Sequence, residues 1–313
     1  MLSSSLLKKW RNMLKNESVF HVNQAEGKYY SVTKLKGYYN DLSEKVLYTT
    51  KIDECGIPYN IAALGKRQRK VYFAISIFQY GLGAYDLFLE HKDKVYLQKM
   101  LLMADWAINN QNEDGSWNTF GVLCYHCPFS SMAQGEGASL LARAYTETKN
   151  DLFRIACIKA IDFMLKSVID GGTTLVTPDG IVLMEYPEKD IVLNGWIFSA
   201  FGLLDCWKIT GEEKYRKAWN STLNVIKKSI KRFDTGHWSY YDESGKYASP
   251  FYHGLHIELL CALNKLSPDV VFEKYIRKWK KYKDNKFWST VAFLVKAKQK
   301  VCEKQSKEWI IVS

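Results

Sequence analysis

Glu185-Tyr186-Pro187 sets a carboxylate beside a phenol, and both groups can give or take a proton. Placed on facing walls of a cleft, two such groups make an acid/base pair. By spacing alone, Glu185 can also be read as an exposed loop carboxylate. Two further tyrosines stand in comparable settings. Tyr241 closes the aromatic run FDTGHWSYYD (233–242), and Tyr252 opens YHGLH (252–256), where Tyr252 and His256 share a helix face four residues apart. His253 and His256 have no carboxylate at ligand spacing, because Glu258 falls on another face, so no metal is expected there. Cys124 and Cys127 bracket His126 in a lone CxxC with no second pair at zinc-ribbon distance, and no metal is expected there either. The segment MAQGEG (132–137) would aim Gln134 and Glu136 into the mouth of a ring of helices, with Arg143 two turns on. A buried Glu136–Arg143 pair would instead be a packing device. Asn194 lies just after the Glu-Tyr pair, at the start of the next apolar helix. The chain has no Gly-rich phosphate loop, and no cofactor is expected.

Loops must carry these residues, and helices must hold the loops. Thr177-Pro178-Asp179-Gly180 is a turn signature that would join Thr173–Leu175 to Ile181–Met184 as a hairpin and bring Glu185 to a rim. From residue 68 onward, helices apolar all round alternate with amphipathic ones: 71–91 with 94–110, 130–148 with 151–169, 191–210 with 212–232, 252–265 with 268–282, then 286–302. In the second kind, Tyr215, Ala218, Trp219, Leu223 and Ile226 form one stripe among lysines. The alternation predicts a mainly α fold, an α/α toroid of about four helical hairpins with buried inner and half-exposed outer helices. Residues 66–313 would form it, with small β-hairpins in its loops. Residues 1–65 would form a short α+β extension with strands at Tyr29–Thr33 and Val46–Thr50. Three long connections, 111–129, 170–190 and 233–251, hold the polar and aromatic sequence where function is expected. The segment QNEDGSW (111–117) reads as a structural plug.

Hydrophobic residues at 47% and charged residues at 25% exclude disorder, collagen and coiled coil. A chain this long buries roughly three quarters of its unfolded surface and needs no disulfide. Its seven cysteines are odd in number and scattered, as in a reducing compartment. The first sixteen residues have no apolar core of a secretory signal, which places the protein in the cytoplasm. Leu6, Leu7, Trp10, Met13 and Leu14 recur at helical spacing, either docked on the domain or resting on a membrane surface. The apolar run 71–89 carries Gln79, Gly81, Gly83 and Asp86 and reads as a buried helix, not a transmembrane span. Net charge is +11, with 11 Lys and Arg against 3 Asp and Glu between residues 273 and 304. This is either a solvated helix face or a surface for a polyanion or an anionic membrane. A homodimer is also left open, and no nucleic acid is called for.

Six segments, in order and spacing, resemble the C-terminal catalytic domain of the D-glucuronyl 5-epimerases of heparan sulfate and heparosan biosynthesis. They are FQYGLGAYD (78–86), ADWAINNQNEDGSW (104–117), SSMAQGEGASLLARAY (130–145), EYPEKDIVLNGWIFSAFGLLD (185–205), FDTGHWSYYD (233–242) and YHGLHIELL (252–260). The resemblance implies a cleft that binds an anionic polysaccharide and inverts carbon 5 of glucuronate to give iduronate, without a cofactor. It assigns function to Glu185, Tyr186, Tyr241 and Tyr252. Gln134, Glu136, Arg143, Asn194, His253 and His256 are then the substrate-binding candidates. Two arginines of the family, one after the D-T-G tyrosine and one before the last tyrosine, have no counterpart here. Lys66, Arg67, Arg69 and Lys70 would stand in for them, and an N-sulfated substrate is not implied.

Removing the carbon-5 proton of a uronate builds a second negative charge on its carboxyl group, so the site must offer donors or cations there. Inversion needs a base on one face of the sugar and an acid on the other. Glu185 and Tyr252 are assigned to these faces, with Tyr186 and Tyr241 orienting the carboxylate or relaying protons. The competing readings are a polysaccharide lyase, which starts with the same proton abstraction, and a non-catalytic glycan-binding relative.

Overall fold

The computed structural model describes residues 24–49, 51–302 and 308–312. The amphipathic segment expected within residues 1–16 lies outside them. Ten α-helices run through the described residues: α1 (Ser43–Leu47), α2 (Ala74–His91), α3 (Lys94–Asn109), α4 (Ser131–Thr148), α5 (Asp151–Leu165), α6 (Leu193–Thr210), α7 (Glu213–Ser229), α8 (Pro250–Leu266), α9 (Val270–Asp284) and α10 (Lys286–Cys302). From α2 to α9 they make four consecutive hairpins of an α/α toroid. The inner members α2, α4 and α6 are buried nearly all round, down to Gln79, Asp86, Glu136, Arg143 and Asp205, and α8 leaves a half-buried stripe at Glu258 and Cys261. The outer members bury one stripe, as with Tyr215, Trp219, Leu223 and Ile226 on α7 or Phe272, Tyr275 and Trp279 on α9.

Local sequence sets the helix ends. Ser130 caps α4 by accepting from the Ala133 amide, and Ser249 caps α8 just ahead of Pro250, a residue pre-shaped for a first turn. Gly211 ends α6 in the left-handed conformation at φ 70°. Inner helices approach closely where side chains vanish: a Cβ on Gly202 of α6 would lie 2.5 Å from Gly135 Cα of α4.

Residues 24–49 lie across the ring of helices as an arm. The Tyr38 amide donates to Asp86 of α2, the Tyr39 hydroxyl to Asp205 of α6, and the Glu26 amide to Glu258 of α8. Tyr38, Tyr39 and Leu42 join the same core as the helices. The strands expected in this arm do not form. Tyr29–Thr33 runs through bends, and Val46 and Leu47 end α1, with Thr50 outside the described residues. A five-residue apolar run cannot distinguish the two periods, and burial of Val46 among the helices decides for the helix.

The hairpin that does form near here is β1 (Asn60–Leu64) with β2 (Arg67–Val71), turning at Gly65 with φ 60°. Its β2 face is exposed from Arg67 to Lys70, so no alternating apolar pattern marked it. The hairpin in the second long loop is present as β3 (Thr174–Thr177) and β4 (Gly180–Leu183), paired Thr174 to Leu183. A short strand β5 (Ile310–Ile311) pairs antiparallel with β1 through Ala62 and Ala63. Among the described residues no helix is long and apolar enough to cross a membrane.

Candidate active site

At one end of the toroid the long loops enclose a cavity of about 260 Å³. Glu185, Tyr186, Tyr241 and Tyr252 all line it, with Asn194, Gln79 and Lys45. Glu185, Tyr186, Tyr241, Tyr252 and Asn194 come from four separate elements. β4 leads into Glu185 and Tyr186. The 233–249 loop delivers Tyr241 and is bridged at Asp242 to Val192, at the head of α6. Tyr252 sits in the first turn of α8, and Asn194 in the first turn of α6. Helix starts and loop ends therefore face the cavity, and the helix interiors stay in the core.

Glu185 is 6% exposed, with Oε2 buried and unpaired among the described residues. It packs against Gly195: a methyl group there would come within 2.7 Å of Glu185 Cβ and closer still to its carboxylate. Burial lifts the Glu185 pKa to about 8, with Tyr186 pulling weakly the other way. Tyr186, Tyr241 and Tyr252 are all pushed above the ordinary phenol value, first by burial and then by Glu185. Tyr241 and Tyr252 meet edge to face with ring centroids 4.9 Å apart, and Tyr186 stacks on Phe120 at 4.4 Å. The result is one carboxyl group that ionises near neutrality, facing three phenols that keep their protons.

Several expected residues lie elsewhere. Gln134 does not point into the mouth. Its amide donates to the carbonyls of Gly115 and Ala160 and accepts from the Trp117 amide, bolting the 111–117 plug to α4. Glu136 stands behind the cavity wall, reached through Gln79, which donates to it at 2.9 Å. Arg143 pairs with Asp205 at 2.6 Å and donates to the Gly37 carbonyl, so the contemplated Glu136–Arg143 pair is replaced. The cause is register: Asp205 on the neighbouring inner helix sits level with Arg143, and Gln79 already serves Glu136.

His253 and His256 both meet the Ser239 hydroxyl, with His253 also at the Trp279 carbonyl. Burial holds both imidazoles neutral, with pKa values down to about 3. Tyr252 reaches the cavity while His256 does not, although they are four residues apart on one helix. Arg67 is exposed on β2. Arg69 donates to the Val122 carbonyl and stacks over Trp309 at 4.4 Å, so neither arginine lines the cavity. Outside the cavity, donor atoms of Glu26, Glu258 and Cys261 lie within 4.8 Å of one another, but Glu26 is already ion-paired with Lys265. His126 pairs with Glu188 at 2.7 Å rather than with the flanking cysteines.

The cavity residue that sequence reasoning missed is Lys45. In sequence it is one of many lysines in a polar stretch. The signal would have been its place in a short amphipathic turn, Leu42 to Val46, whose neighbours are buried.

A family model described as "D-glucuronyl C5-epimerase C-terminus" matches residues 111–281, more than half of the chain. A D-glucuronyl C5-epimerase of Caenorhabditis elegans is 27% identical over 205 residues, 56% of this chain and 33% of that protein. The chain thus spans about a third of that relative's length. An uncharacterized protein of Methanocaldococcus jannaschii is 33% identical over 207 residues, 59% of this chain and 67% of that one. Among solved structures, the Lin0763 protein of Listeria innocua superposes with a TM-score of 0.51 at 14% identity, covering 75% of this chain and 74% of its own, a likeness of fold.

Proposed function

The chain belongs to the D-glucuronyl C5-epimerase C-terminal family, and from that premise we propose that it inverts carbon 5 of glucuronate units in an anionic polysaccharide. The observation that carries the reading is the convergence of Glu185, Tyr186, Tyr241 and Tyr252 on one cavity, although they come from distant segments of the chain. Ionised Glu185 takes the carbon-5 proton, and the electron pair left behind spreads into the adjoining carboxyl group. Tyr252, whose phenol keeps its proton, returns one to the opposite face of the ring. The enzyme is then left with protonated Glu185 and a tyrosinate. Tyr241, edge-on to Tyr252, and Tyr186, beside Glu185, offer a route for the proton that resets the pair. A positioned acid or base of this kind contributes about 10²–10⁴-fold.

The test is incubation of a glucuronate polymer such as heparosan with the protein in deuterated water. Deuterium should enter carbon 5, both epimers should appear, and chain length should stay constant. Tyr252→Phe keeps the ring and removes the proton donor, and exchange should fall about 10²–10⁴-fold without loss of folding. Shortened chains with an ultraviolet-absorbing unsaturated end would make the protein a lyase. Binding without exchange or cleavage would make it a glycan-binding module.

A further inference from the structure

A uronate bound for this reaction brings a full negative charge into the cavity and gains a second as its proton leaves. The cavity walls must answer that charge. Among the described residues lining the cavity, Lys45 alone carries a positive charge. It is 9% exposed, and its side chain has no hydrogen-bonded or ion-paired partner among the described residues. Burial pulls its pKa down to about 8, opposed by the nearby charge of Glu136. Glu136 stands behind the cavity wall and is engaged by Gln79, so a guest carboxylate would supply a counter-charge to the buried ammonium on the cavity side.

We propose that Lys45 binds the carboxylate of the reacting uronate unit and stabilises the second negative charge that this group acquires when the carbon-5 proton leaves. The assignment rests on the epimerase reading above. In the step itself the C5–H bond breaks, the proton passes to Glu185, and the electron pair moves through C5–C6 onto the carboxyl oxygens facing the Lys45 ammonium. Reprotonation from Tyr252 reverses the flow. Lys45 therefore takes the place that the sequence expectation gave to Arg67 and Arg69, both of which are engaged or turned outward on β2.

The position of Lys45 is built. Asp41 accepts from the amide and hydroxyl of Ser43 to start α1, and Tyr38 is tied to Asp86 below it. The backbone of Leu42 rests directly on Gly83 of α2, where a Cβ would approach the Leu42 carbonyl carbon to 2.7 Å. This seating holds α1 against the toroid, where Lys45 and Gln79 both line the cavity.

The experiment compares the wild type, Lys45→Met and Lys45→Arg, with melting temperature as the folding control. Two ligands are used at low salt: a heparosan oligosaccharide and the same oligosaccharide with its carboxyl groups reduced to alcohols. Wild type should bind the uronate form about 10–100-fold more tightly than the reduced form, the worth of one charge-assisted contact. Lys45→Met should fold, bind both forms equally and lose about 10²–10³-fold in the rate of carbon-5 exchange. Lys45→Arg should recover part of the preference. If Lys45→Met keeps the wild-type preference, or if wild type shows none, the assignment is overturned. If wild type shows a Lys45-dependent preference but never exchanges hydrogen at carbon 5, Lys45 keeps its carboxylate-binding role, while its role in proton removal is overturned together with the epimerase reading.

Discussion

Gly195 shows how a residue without a side chain can set the behaviour of one with an ionisable group. It lies in the first turn of α6, and the Glu185 carboxylate occupies the space where its Cβ would stand. Alanine ordinarily stabilises a helix over glycine by about 1 kcal/mol. Gly195→Ala should therefore leave the melting temperature close to wild type while pushing Glu185 out of line. We expect kcat for carbon-5 exchange to fall about 10–100-fold, with the low-pH limb of its pH profile, where Glu185 becomes protonated, moved below about 8 as Glu185 regains water. An unchanged rate would mean that the carboxylate tolerates displacement. The resemblance of the EYP, FDTGHWSYYD and YHGLH segments singled out Glu185, Tyr186, Tyr241 and Tyr252, and the fold brings all four to one cavity. Lys45 was not legible. Its place in the cavity comes from burial by segments remote in sequence, which no local pattern of charges encodes.

Helix alternation was the most readable layer of the chain. Stripes such as Tyr215–Trp219–Leu223–Ile226 appear on α7 as the spacing required, since a helix with one apolar stripe has one way to bury it. What sequence could not supply was the partner of each buried polar group, as with Arg143, whose Asp205 lies on another hairpin. The crossing of α4 and α6 makes this layer testable. Gly202 faces Gly135 with no room for a methyl group, and the obstacle is backbone that cannot swing aside. Gly202→Ala should thus reverse the usual helical gain and destabilise the protein by about 1–3 kcal/mol, read by urea unfolding. A neutral or stabilising result would show that the two helices can part without cost.

Across the whole molecule, buried ionisable groups shape the response to acid and base. Burial raises Asp86, Glu136 and Glu185 to about 8. Between about pH 4.5 and 8 the folded protein keeps protons that the unfolded chain has released, so stability falls as pH rises through that window. His253 and His256, held down to about 3, act in the other direction. The unfolded chain takes up their protons between about pH 6.5 and 3, so stability falls as pH drops through that range. Each group contributes at most about 1.4 kcal/mol per pH unit. The three carboxyls and two imidazoles balance at about pH 4.5, so the melting temperature should be highest at about pH 4.5–5 and decline on both sides. Glu185→Gln should flatten the alkaline decline and raise stability at pH 8 by about 1–3 kcal/mol. A melting temperature that climbed steadily from pH 5 to 8 would contradict this balance.

The cavity takes Gln24 and Lys45 from the arm and Ile310 and Ile311 from β5, so its enclosure draws on stretches near both extremes of the described chain. During translation, at about 5–20 residues per second, Tyr252 leaves the ribosome seconds before Ile311 is made. In that interval the nascent chain can assemble its glutamate and three tyrosines while one side of the chamber stands open. Water floods a chamber in that state, and an open chamber strengthens no charge–charge contact. A nascent chain that still lacks Ile310 and Ile311 would therefore present the same four groups in a chamber more open to solvent.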